Sequence, residues 1–141
     1  MRRATTYLRK GTYIVHASSM TTDGVWIRWE PTLAVSEGAG VGELGQAIVA
    51  ALDGSCSGVP HPRDWNAVLH PLLALIGVKS WATFSKSATC LEVEEEAGRV
   101  VLVPTRNLGK NGGFEMVSAN QVFTTRGDLT RMGTLAAELL R

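Results

Sequence analysis

The sequence predicts one α/β domain of the α+β kind, in which helices pack on a mixed, mostly antiparallel sheet. The chain's 141 residues suit a single domain. Two segments, VGELGQAIVAAL (41–52) and LTRMGTLAAELL (129–140), each carry the apolar stripe of an amphipathic helix. A β-prone segment precedes each of them, TLAVS at 32–36 and QVFTT at 121–125. Strand and helix signals are therefore both present, as an α+β domain requires.

The composition limits the class of protein. Hydrophobic residues make up 45% and charged residues 19% of the chain, which is ordinary for a globular protein and excludes a disordered one. The net charge of +1 lacks the strongly basic balance typical of nucleic-acid-binding proteins. No apolar run reaches the roughly 18 residues of a membrane span, so we expect a cytoplasmic protein without membrane association. We interpret Cys56 and Cys90, which form no CxxC pair, as free and buried thiols.

The amino-terminal part gives the weakest signals. Residues 1–20 are basic, and we describe them as a poorly assigned segment that precedes a domain of residues 21–141. Within this segment, TYIVHAS at 12–18 is a candidate strand because of its β-branched and aromatic side chains.

A stronger strand signal follows. The stretch GVWIRWE at 24–30 alternates, which predicts a strand with Trp26 and Arg28 together on an outer face. Pro31 then interrupts the pattern, so we expect a turn or bend before the β-prone segment 32–36.

The two helical segments resemble each other in detail. The apolar residues of both fall at the same offsets, Val41, Leu44, Ala47, Ile48, Ala51 and Leu52 in the first and Leu129, Met132, Leu135, Ala136, Leu139 and Leu140 in the second. Each segment also has a glycine at a matched position, Gly45 and Gly133. Because glycine inside a helix costs roughly 1 kcal/mol relative to alanine, this match predicts a close approach of both helices to the sheet. Residues 32–52 and 121–140 are thus a candidate duplicated strand–helix unit, unless two amphipathic helices simply share a common stripe.

Capping residues mark the helices in the middle of the chain. Asp64 is a good N-cap for a helix over WNAVLHPLLALI (65–76), and Gly77 suits the position after its end. Pro71 lies too deep for a first turn, so we expect the helix to kink or split there. Ser80 is a good N-cap for a second, short helix.

A hairpin is predicted in the second half of the chain. The segments CLEVEEE (90–96) and RVVLV (99–103) read as two strands joined at Ala97 and Gly98. RVVLV is apolar on both faces, which indicates a strand with neighbours on either side.

The first strand of this hairpin carries a row of acidic residues. Alternation places Glu92, Glu94 and Glu96 on one face, while Leu91 and Val93 point to the core. The simplest interpretation is an exposed, solvated face. The functional alternative is an acidic row that meets a basic partner.

The residues that usually carry catalysis are not organised. His16, His61 and His70 are scattered, and neither an HExxH motif nor a Cys/His cluster with zinc-ligand spacing is present. His61 and Asp64 could join a serine in a triad, but no GxSxG elbow accompanies them. We therefore predict no catalytic residue, no metal site and no cofactor.

The glycine-rich stretch RNLGKNGGFE (106–115) raises the question of phosphate binding. Lys110 follows Gly109 directly, but no Ser or Thr comes next, and the GxGxxG fingerprint is absent. The segment leads into another β-prone stretch, so we interpret it as a long loop between strands. Such loops are more often binding elements than catalytic ones.

Two runs then carry a family resemblance. VPHPRDWNAVLHPLLALIGVKSWATFSKSA (59–88) contains the elements VPHP-x-DW and GVKSW-x-x-F, and PTRNLGKNGGFE (104–115) contains RN-x-G-x-x-GGF. In these elements, and more loosely from about Val25 to the end, the chain resembles the immunity proteins of bacterial contact-dependent growth inhibition systems. The resemblance implies a small, non-catalytic, cytosolic α/β protein. It would bind the toxic carboxy-terminal domain of a delivered effector, often a nuclease, and protect the producing cell.

Charge indicates where such a toxin would bind. We expect the interface to include the acidic row and the glycine-rich loop, through Glu92, Glu94, Glu96, Arg106, Asn107 and Lys110. The near-neutral net charge departs from the acidic balance expected of an inhibitor of basic nucleases. Either the row acts locally, or the toxin is not basic, or it is bound away from its active site.

Two other classes of function remain as alternatives. One is a small nucleic-acid-binding module, and the basic residues that would serve it are Arg2, Arg3, Arg9, Lys10, Arg106 and Lys110. The near-neutral charge and the lack of a recognised motif argue against it. The other is a small enzyme that works through His61 and Asp64, which the absence of a second organised group disfavours.

Overall fold

The computed structural model, which describes residues 1–109 and 111–141, has two similar halves. Each half is a meander of strands followed by one helix, with three strands in the first half and four in the second, and a segment with one strand and two helices joins them. The first half contains β1 (Arg2–Arg9), β2 (Thr12–Thr21), β3 (Trp26–Ser36) and α1 (Val41–Gly54). The joining segment contains β4 (Ser57–Val59), α2 (Trp65–Ile76) and α3 (Trp81–Lys86). The second half contains β5 (Thr89–Glu96), β6 (Arg99–Asn107), β7 (Phe114–Met116), β8 (Val122–Thr125) and α4 (Leu129–Leu140).

The strands form one eight-stranded sheet in the order β3-β2-β1-β5-β6, with β7 and β8 both pairing with the outer side of β6. All pairs are antiparallel except that of β4 with β2. The first strands of the two halves, β1 and β5, lie side by side at the centre. The prediction of a single α+β domain with a mostly antiparallel sheet is confirmed.

The duplication extends beyond the predicted strand–helix units to the hairpins. Lys10 and Gly11 join β1 to β2 with φ angles of 48° and 78°, and Ala97 and Gly98 join β5 to β6 with 53° and 78°. Positive φ at both central residues is the mark of the type I′ turn, whose twist suits a two-residue hairpin. The predicted hairpin at Ala97 and Gly98 is thereby found, together with its counterpart in the basic amino-terminal segment.

The first face of the sheet is covered by α1 and α4. The residues that pack between them and the strands are apolar and buried, among them Leu44, Ile48, Leu52, Met132, Ala136, Leu140, Val15, Leu91, Val93 and Leu102. Both predicted stripes therefore face the core, with Leu135 and Leu139 half-buried at its edge. Burial of this apolar surface is the main favourable term for the fold.

The matched glycines serve a different contact from the predicted one. A methyl group added at Gly45 would lie 2.1 Å from the carbonyl oxygen of Leu129, and one at Gly133 would lie 1.8 Å from that of Val41. Both distances are far below van der Waals contact. The close approach is thus between the two helices, because each glycine lies against the first residue of the other helix. The expected close approach of the glycines to the sheet is therefore wrong.

The second face is partly covered by α2 and α3. Its apolar cluster contains Tyr7, Ile14, Leu72, Phe84, Ala88 and Cys90, with Trp81 and Phe114 packed against it. The predicted caps are present: the Asp64 carboxylate accepts from the Asn66 amide at 3.0 Å, and Gly77 has a left-handed φ of 70°. Ser80 likewise accepts from the Thr83 amide at 3.2 Å.

The helix α2 continues through Pro71, so of the kink or split expected there, the split does not occur. Two other expectations need correction. Strand β3 spans Pro31, and the interruption is taken up as a shift in its register with β2 between His16 and Ala17. Cys90 is buried as expected, whereas Cys56 is exposed.

The crossing of α1 and α4 leads to a first prediction. Gly45→Ala and Gly133→Ala should each lower the free energy of unfolding by about 1–3 kcal/mol, because the added methyl group forces the helices apart. Gly42→Ala in α1 is the matched control, since a methyl group there meets nothing within 4 Å. It should raise the free energy of unfolding by about 0.4–1 kcal/mol, because alanine has less conformational freedom than glycine in the unfolded chain. Urea unfolding of the three variants measures this, and equal stabilities would contradict the close contact.

Candidate functional site

Half of the second face carries polar and charged side chains in place of an apolar core. Residues that lie opposite each other on neighbouring strands share a face of the sheet. The strand register thus forms two adjacent rows, Arg28, Ser18, Arg3 and Glu94 in one and His16, Thr5 and Glu92 in the other. The rows cross the central strands β1 and β5 and lie beside the apolar cluster under α2 and α3.

These rows form the floor of a cleft of about 290 Å³. We call it the charged cleft, and its principal lining residues are Arg3, Thr5, His16, Ser18, Trp26, Arg28 and Glu92 from the strands and Trp65, Val68 and Leu69 from α2. The α2 side chains reach it because that helix packs on β3. Trp65 is 47% exposed, so the cleft has an aromatic side chain accessible from solvent.

Arg3 is the central cation of the charged cleft. Its guanidinium donates to the Glu94 carboxylate at 2.6 Å and 3.2 Å, and its Nε lies 3.6 Å from Glu92. The Trp26 ring lies beneath it, with the guanidinium carbon 4.6 Å from the ring centre. The side chains of Arg3, Glu92 and Glu94 are only 15%, 15% and 17% exposed. A cation held between a carboxylate and an aromatic ring is restricted in its motion and therefore rigidifies the floor of the cleft.

Glu92 occupies the least favourable position for a charge. The Thr5 hydroxyl lies 3.1 Å from both carboxylate oxygens, and the Cys90 thiol lies 3.8 Å from one of them. Burial raises the pKa of Glu92 from 4.5 to about 7, and the nearby Arg3 offsets only part of this rise. Near neutral pH the Glu92 carboxyl group is therefore present in both its protonated and its ionised form.

His16 is the second titratable group of the charged cleft, and it is neutral. Burial lowers its pKa to about 4. Its Nδ1 lies 2.7 Å from the Ala17 carbonyl oxygen, which can only accept, so the proton resides on Nδ1. The other ring nitrogen, Nε2, is consequently an acceptor.

Arg28 is tied to the surrounding elements, with a side chain only 10% exposed. Its guanidinium donates to the Val68 carbonyl in α2, to Glu30 at 2.9 Å and to Thr32 at 2.8 Å. Trp26 and Arg28 share a face as predicted, but that face is half-buried beneath α2 and is not an outer one. Arg28 thus fixes α2 over the sheet and closes one end of the cleft.

The prediction for the acidic row is confirmed for the orientation of the side chains and wrong for their exposure. Leu91 and Val93 are buried in the core, and Glu92, Glu94 and Glu96 point the other way. Only Glu96 is exposed. The expectation of a solvated face fails because Arg3, on the strand opposite, covers Glu92 and Glu94.

The residues predicted in the glycine-rich loop differ in their environment. Arg106 is 66% exposed and pairs with Glu115 across β6 and β7. Asn107 has a structural role, because its amide donates to the Ser85 carbonyl at 2.8 Å and its oxygen accepts from the Gly109 amide at 2.9 Å. Lys110 lies outside the described residues. The loop does connect two strands, as expected.

The sequence elements that carry the family resemblance come together on the second face. Trp81 and Phe84 of α3 and Phe114 of β7 all contact the Tyr7 ring, with centroids 5.0–5.9 Å apart. Edge-on geometry of this kind favours aromatic pairs beyond their buried area. The elements GVKSW-x-x-F and RN-x-G-x-x-GGF thus have a structural role here, since they hold α3 and the start of β7 against the sheet, whereas Trp65 of VPHP-x-DW lines the charged cleft.

Sequence reasoning missed the residues that β1 and β2 contribute to the charged cleft: Arg3, Thr5, His16 and Ser18. A usable signal existed in the charges: Arg2 and Arg3 lie opposite Glu95 and Glu94 in the β1–β5 pair. Opposite charges that face each other across strands are favourable. The basic doublet in the poorly assigned amino-terminal segment and the acidic doublet in the predicted hairpin strand are therefore a signal that the two segments pair.

Glu95, on the same strand, faces the core side. It is buried and held by the Arg126 guanidinium at 2.5 Å and 2.6 Å. This contact keeps the pKa of Glu95 below its usual value. Arg126 also donates to Asp53 at 2.6 Å, and so links α1, β5 and the turn before α4.

Two further observations concern the described part of the chain. Within residues 1–109 and 111–141, no group of three or more His, Cys, Asp and Glu side chains is arranged to hold a metal ion. None of the helices described there has the length and apolarity that crossing a membrane requires.

Comparisons with known proteins support the fold. No family model and no curated relative matches the sequence. Among solved structures, a protein of unknown function from Neisseria meningitidis is similar, with a TM-score of 0.76, 14% identity and coverage of 98% of this chain and 92% of that one. A chain of the CdiA-CT/CdiI toxin and immunity complex from Yersinia pseudotuberculosis has a TM-score of 0.74, 12% identity and coverage of 99% and 97%. The chain therefore has the fold of a protein found in a toxin–immunity complex.

The environment of Glu92 leads to a second prediction. A raised pKa in the folded state means that the carboxylate opposes folding: this penalty is absent below pH 4.5, grows between pH 4.5 and 7, and is complete above pH 7. Glu92→Gln should therefore raise the free energy of unfolding by about 3 kcal/mol at pH 8 and leave it nearly unchanged at pH 4.

Denaturant unfolding at the two pH values measures this difference. Glu96→Gln, which changes an exposed glutamate on the same strand, is the control and should stay within about 0.5 kcal/mol of the parent chain. A stability gain for Glu92→Gln that does not depend on pH would show that packing, and not ionisation, is responsible.

Proposed function

We propose that this chain is an immunity protein without catalytic activity, which binds and neutralises the carboxy-terminal toxin domain of a contact-dependent growth inhibition effector. The toxin we expect is a nuclease. The observation that carries the proposal is the likeness to a chain of a toxin–immunity complex over 99% of the present chain. The sequence elements at 59–88 and 104–115 support it independently.

The physical demands on such a protein agree with what the chain offers. An inhibitor needs a rigid surface with complementary charge and an aromatic anchor, and it needs no nucleophile. The second sheet face supplies a charged cleft on the two central strands, with the exposed Trp65 at its side. Its polar side chains are held by hydrogen bonds and are therefore preorganised for binding.

We place the toxin interface on this second face and on the neighbouring glycine-rich loop. Glu96 would contact the toxin directly from the second face, where it is exposed. Arg106 is also exposed, but the register of β6 turns it to the other face, so it and Lys110 would contact the toxin through the glycine-rich loop at the sheet edge. Glu92 and Glu94 would act from within the charged cleft. Asn107 would act indirectly, by holding the start of the loop against α3.

The alternative of a nucleic-acid-binding module is weakened by the pairing of the basic residues that would serve it. Arg2 pairs with Asp53, Arg3 with Glu94, and Arg106 with Glu115. Arg9 donates to the Ser87 hydroxyl at 3.0 Å, which orients its side chain but leaves its charge uncompensated. A phosphate backbone attracts unpaired cations, and three of these four arginines are paired with carboxylates within the protein.

The proposed function makes a third prediction. Production of this chain should restore growth to cells that produce the toxin domain of the large secreted effector encoded beside it, and the two purified proteins should elute together. The reason is that an immunity protein acts by stoichiometric binding, so protection and complex formation go together. A folded, well-produced chain that neither protects nor binds would overturn the proposal.

The placement of the interface makes a fourth prediction. Glu96→Lys should slow association with the toxin several-fold at low ionic strength and much less at high salt, because exposed charges act over about one Debye length. Glu138→Lys is the matched control, an exposed glutamate on α4 at the other side of the sheet. Stopped-flow association rates at two salt concentrations compare the variants, and equal rates would remove Glu96 from the interface.

A further inference from the structure

The charged cleft contains one carboxylate that lacks a hydrogen-bonded cation of its own. The Arg3 guanidinium is matched by Glu94 at 2.6 Å, and the Arg28 guanidinium by Glu30 at 2.9 Å. These two pairs cancel in charge. Glu92 remains, with the nearest cationic nitrogen 3.6 Å away, beyond hydrogen-bond distance.

The hydrogen bonds of the cleft also leave acceptors available. When Glu92 is ionised, the Thr5 hydroxyl donates to it at 3.1 Å. The Ser18 hydroxyl, 2.7 Å from the Thr5 oxygen, must then donate to Thr5. The Ser18 oxygen keeps its lone pairs, and His16 presents an unprotonated Nε2. Arg3 and Arg28 also line the cleft, but their guanidinium groups already donate to acceptors of the protein. The carboxylate, the hydroxyl and the imidazole are the groups left to accept from an entering hydrogen-bond donor.

The size and the walls of the cleft narrow the choice of donor. A volume of about 290 Å³ lies at the lower limit for small-molecule sites and suits one inserted side chain. Two of its lining residues are tryptophans: the Trp26 ring already carries the Arg3 guanidinium, whereas Trp65 offers an indole face, and such a face attracts a cation. Trp65 is 47% exposed, so a side chain can enter beside it from solvent.

We propose that the charged cleft is the receptor for a single cationic side chain of the toxin, a lysine or an arginine, whose charged end pairs with Glu92. This inference rests on the proposed function and specifies the chemistry of the partner at that site. A toxin that acts on nucleic acid carries such side chains to bind phosphates. Insertion would give Glu92 a hydrogen-bonded cation of its own, which Arg3, 3.6 Å away and matched by Glu94, does not provide.

Pairing with a cation requires the ionised form of Glu92, so binding must expel its proton. The other titratable and charged groups around Glu92 in the cleft are Arg3 and Tyr7 on β1, His16 on β2, Arg28 on β3, and Cys90 and Glu94 on β5. Burial holds Tyr7 and Cys90 in their neutral forms and His16 without a second proton, so none of these three changes charge between pH 6 and 8. Glu92 is thus the group of this cleft that responds to pH in that range.

The test measures the affinity of the purified toxin domain for three forms of the full chain at pH 6 and pH 8. For the parent chain, affinity should rise about tenfold from pH 6 to pH 8, following the ionised fraction of Glu92. Glu92→Gln should weaken binding at pH 8 about thirtyfold or more and remove the part of the pH dependence that arises from ionisation of Glu92. Glu96→Gln should keep the pH dependence of the parent chain.

Equal affinity of the parent chain and Glu92→Gln at pH 8 would overturn the inference while leaving the proposed function intact. If the toxin does not bind the parent chain at all, the proposed function fails, and the receptor is then judged with n-butylammonium and methylguanidinium as probes. NMR then follows the indole N–H signals of Trp26 and Trp65 as each probe is added. Shifts caused by the probe in the parent chain that vanish in Glu92→Gln would support the receptor. Equal shifts in the two forms, or no shift in either, would overturn it.

Discussion

The mutual contact of Gly45 and Gly133 with the opposite helix fixes how the two halves of the molecule meet. Each helix follows its own meander, α1 the first and α4 the second, and both must fit on one face of a shared sheet. A side chain at either glycine would collide with backbone of the other helix. Because the helices can approach this closely, they fill the first face between them and bury one continuous core.

The occupied first face determines where function can reside. The segment that joins the halves has to cross to the second face, where α2 and α3 are long enough to cover only part of the sheet. The uncovered part lies over β1 and β5, the first strands of the two halves. Charges from strands far apart in sequence therefore meet there, and Arg3 faces Glu94 across 91 residues. The charged cleft is a consequence of joining two halves at their centre.

Sequence reasoning succeeded where the signal is local and failed where it depends on strand pairing. The caps at Asp64 and Ser80, the turn at Ala97 and Gly98, and the stripes of α1 and α4 need only neighbouring residues, and all are found. Alternation also assigned Glu92 to the correct face. It could not show that this face is covered, because the covering Arg3 comes from a strand with weak signals of its own. A side chain's exposure depends on its partners across the sheet, which a periodic pattern does not specify.

The same pairing explains how a nearly neutral protein can still present a definite charge pattern. The chain has 14 basic and 13 acidic residues, so its overall field is weak and steers a distant partner little. Pairs such as Arg3 with Glu94, Arg28 with Glu30 and Arg126 with Glu95 neutralise one another within the protein. Recognition of the proposed toxin would then rely on the few charges that such pairs leave over, among them Glu92 in its desolvated cleft. In such a cleft an electrostatic interaction is stronger than in water, and a partner without the matching cation leaves the carboxylate unpaired. Selectivity of this kind arises from rejection of the wrong partner as much as from attraction of the right one.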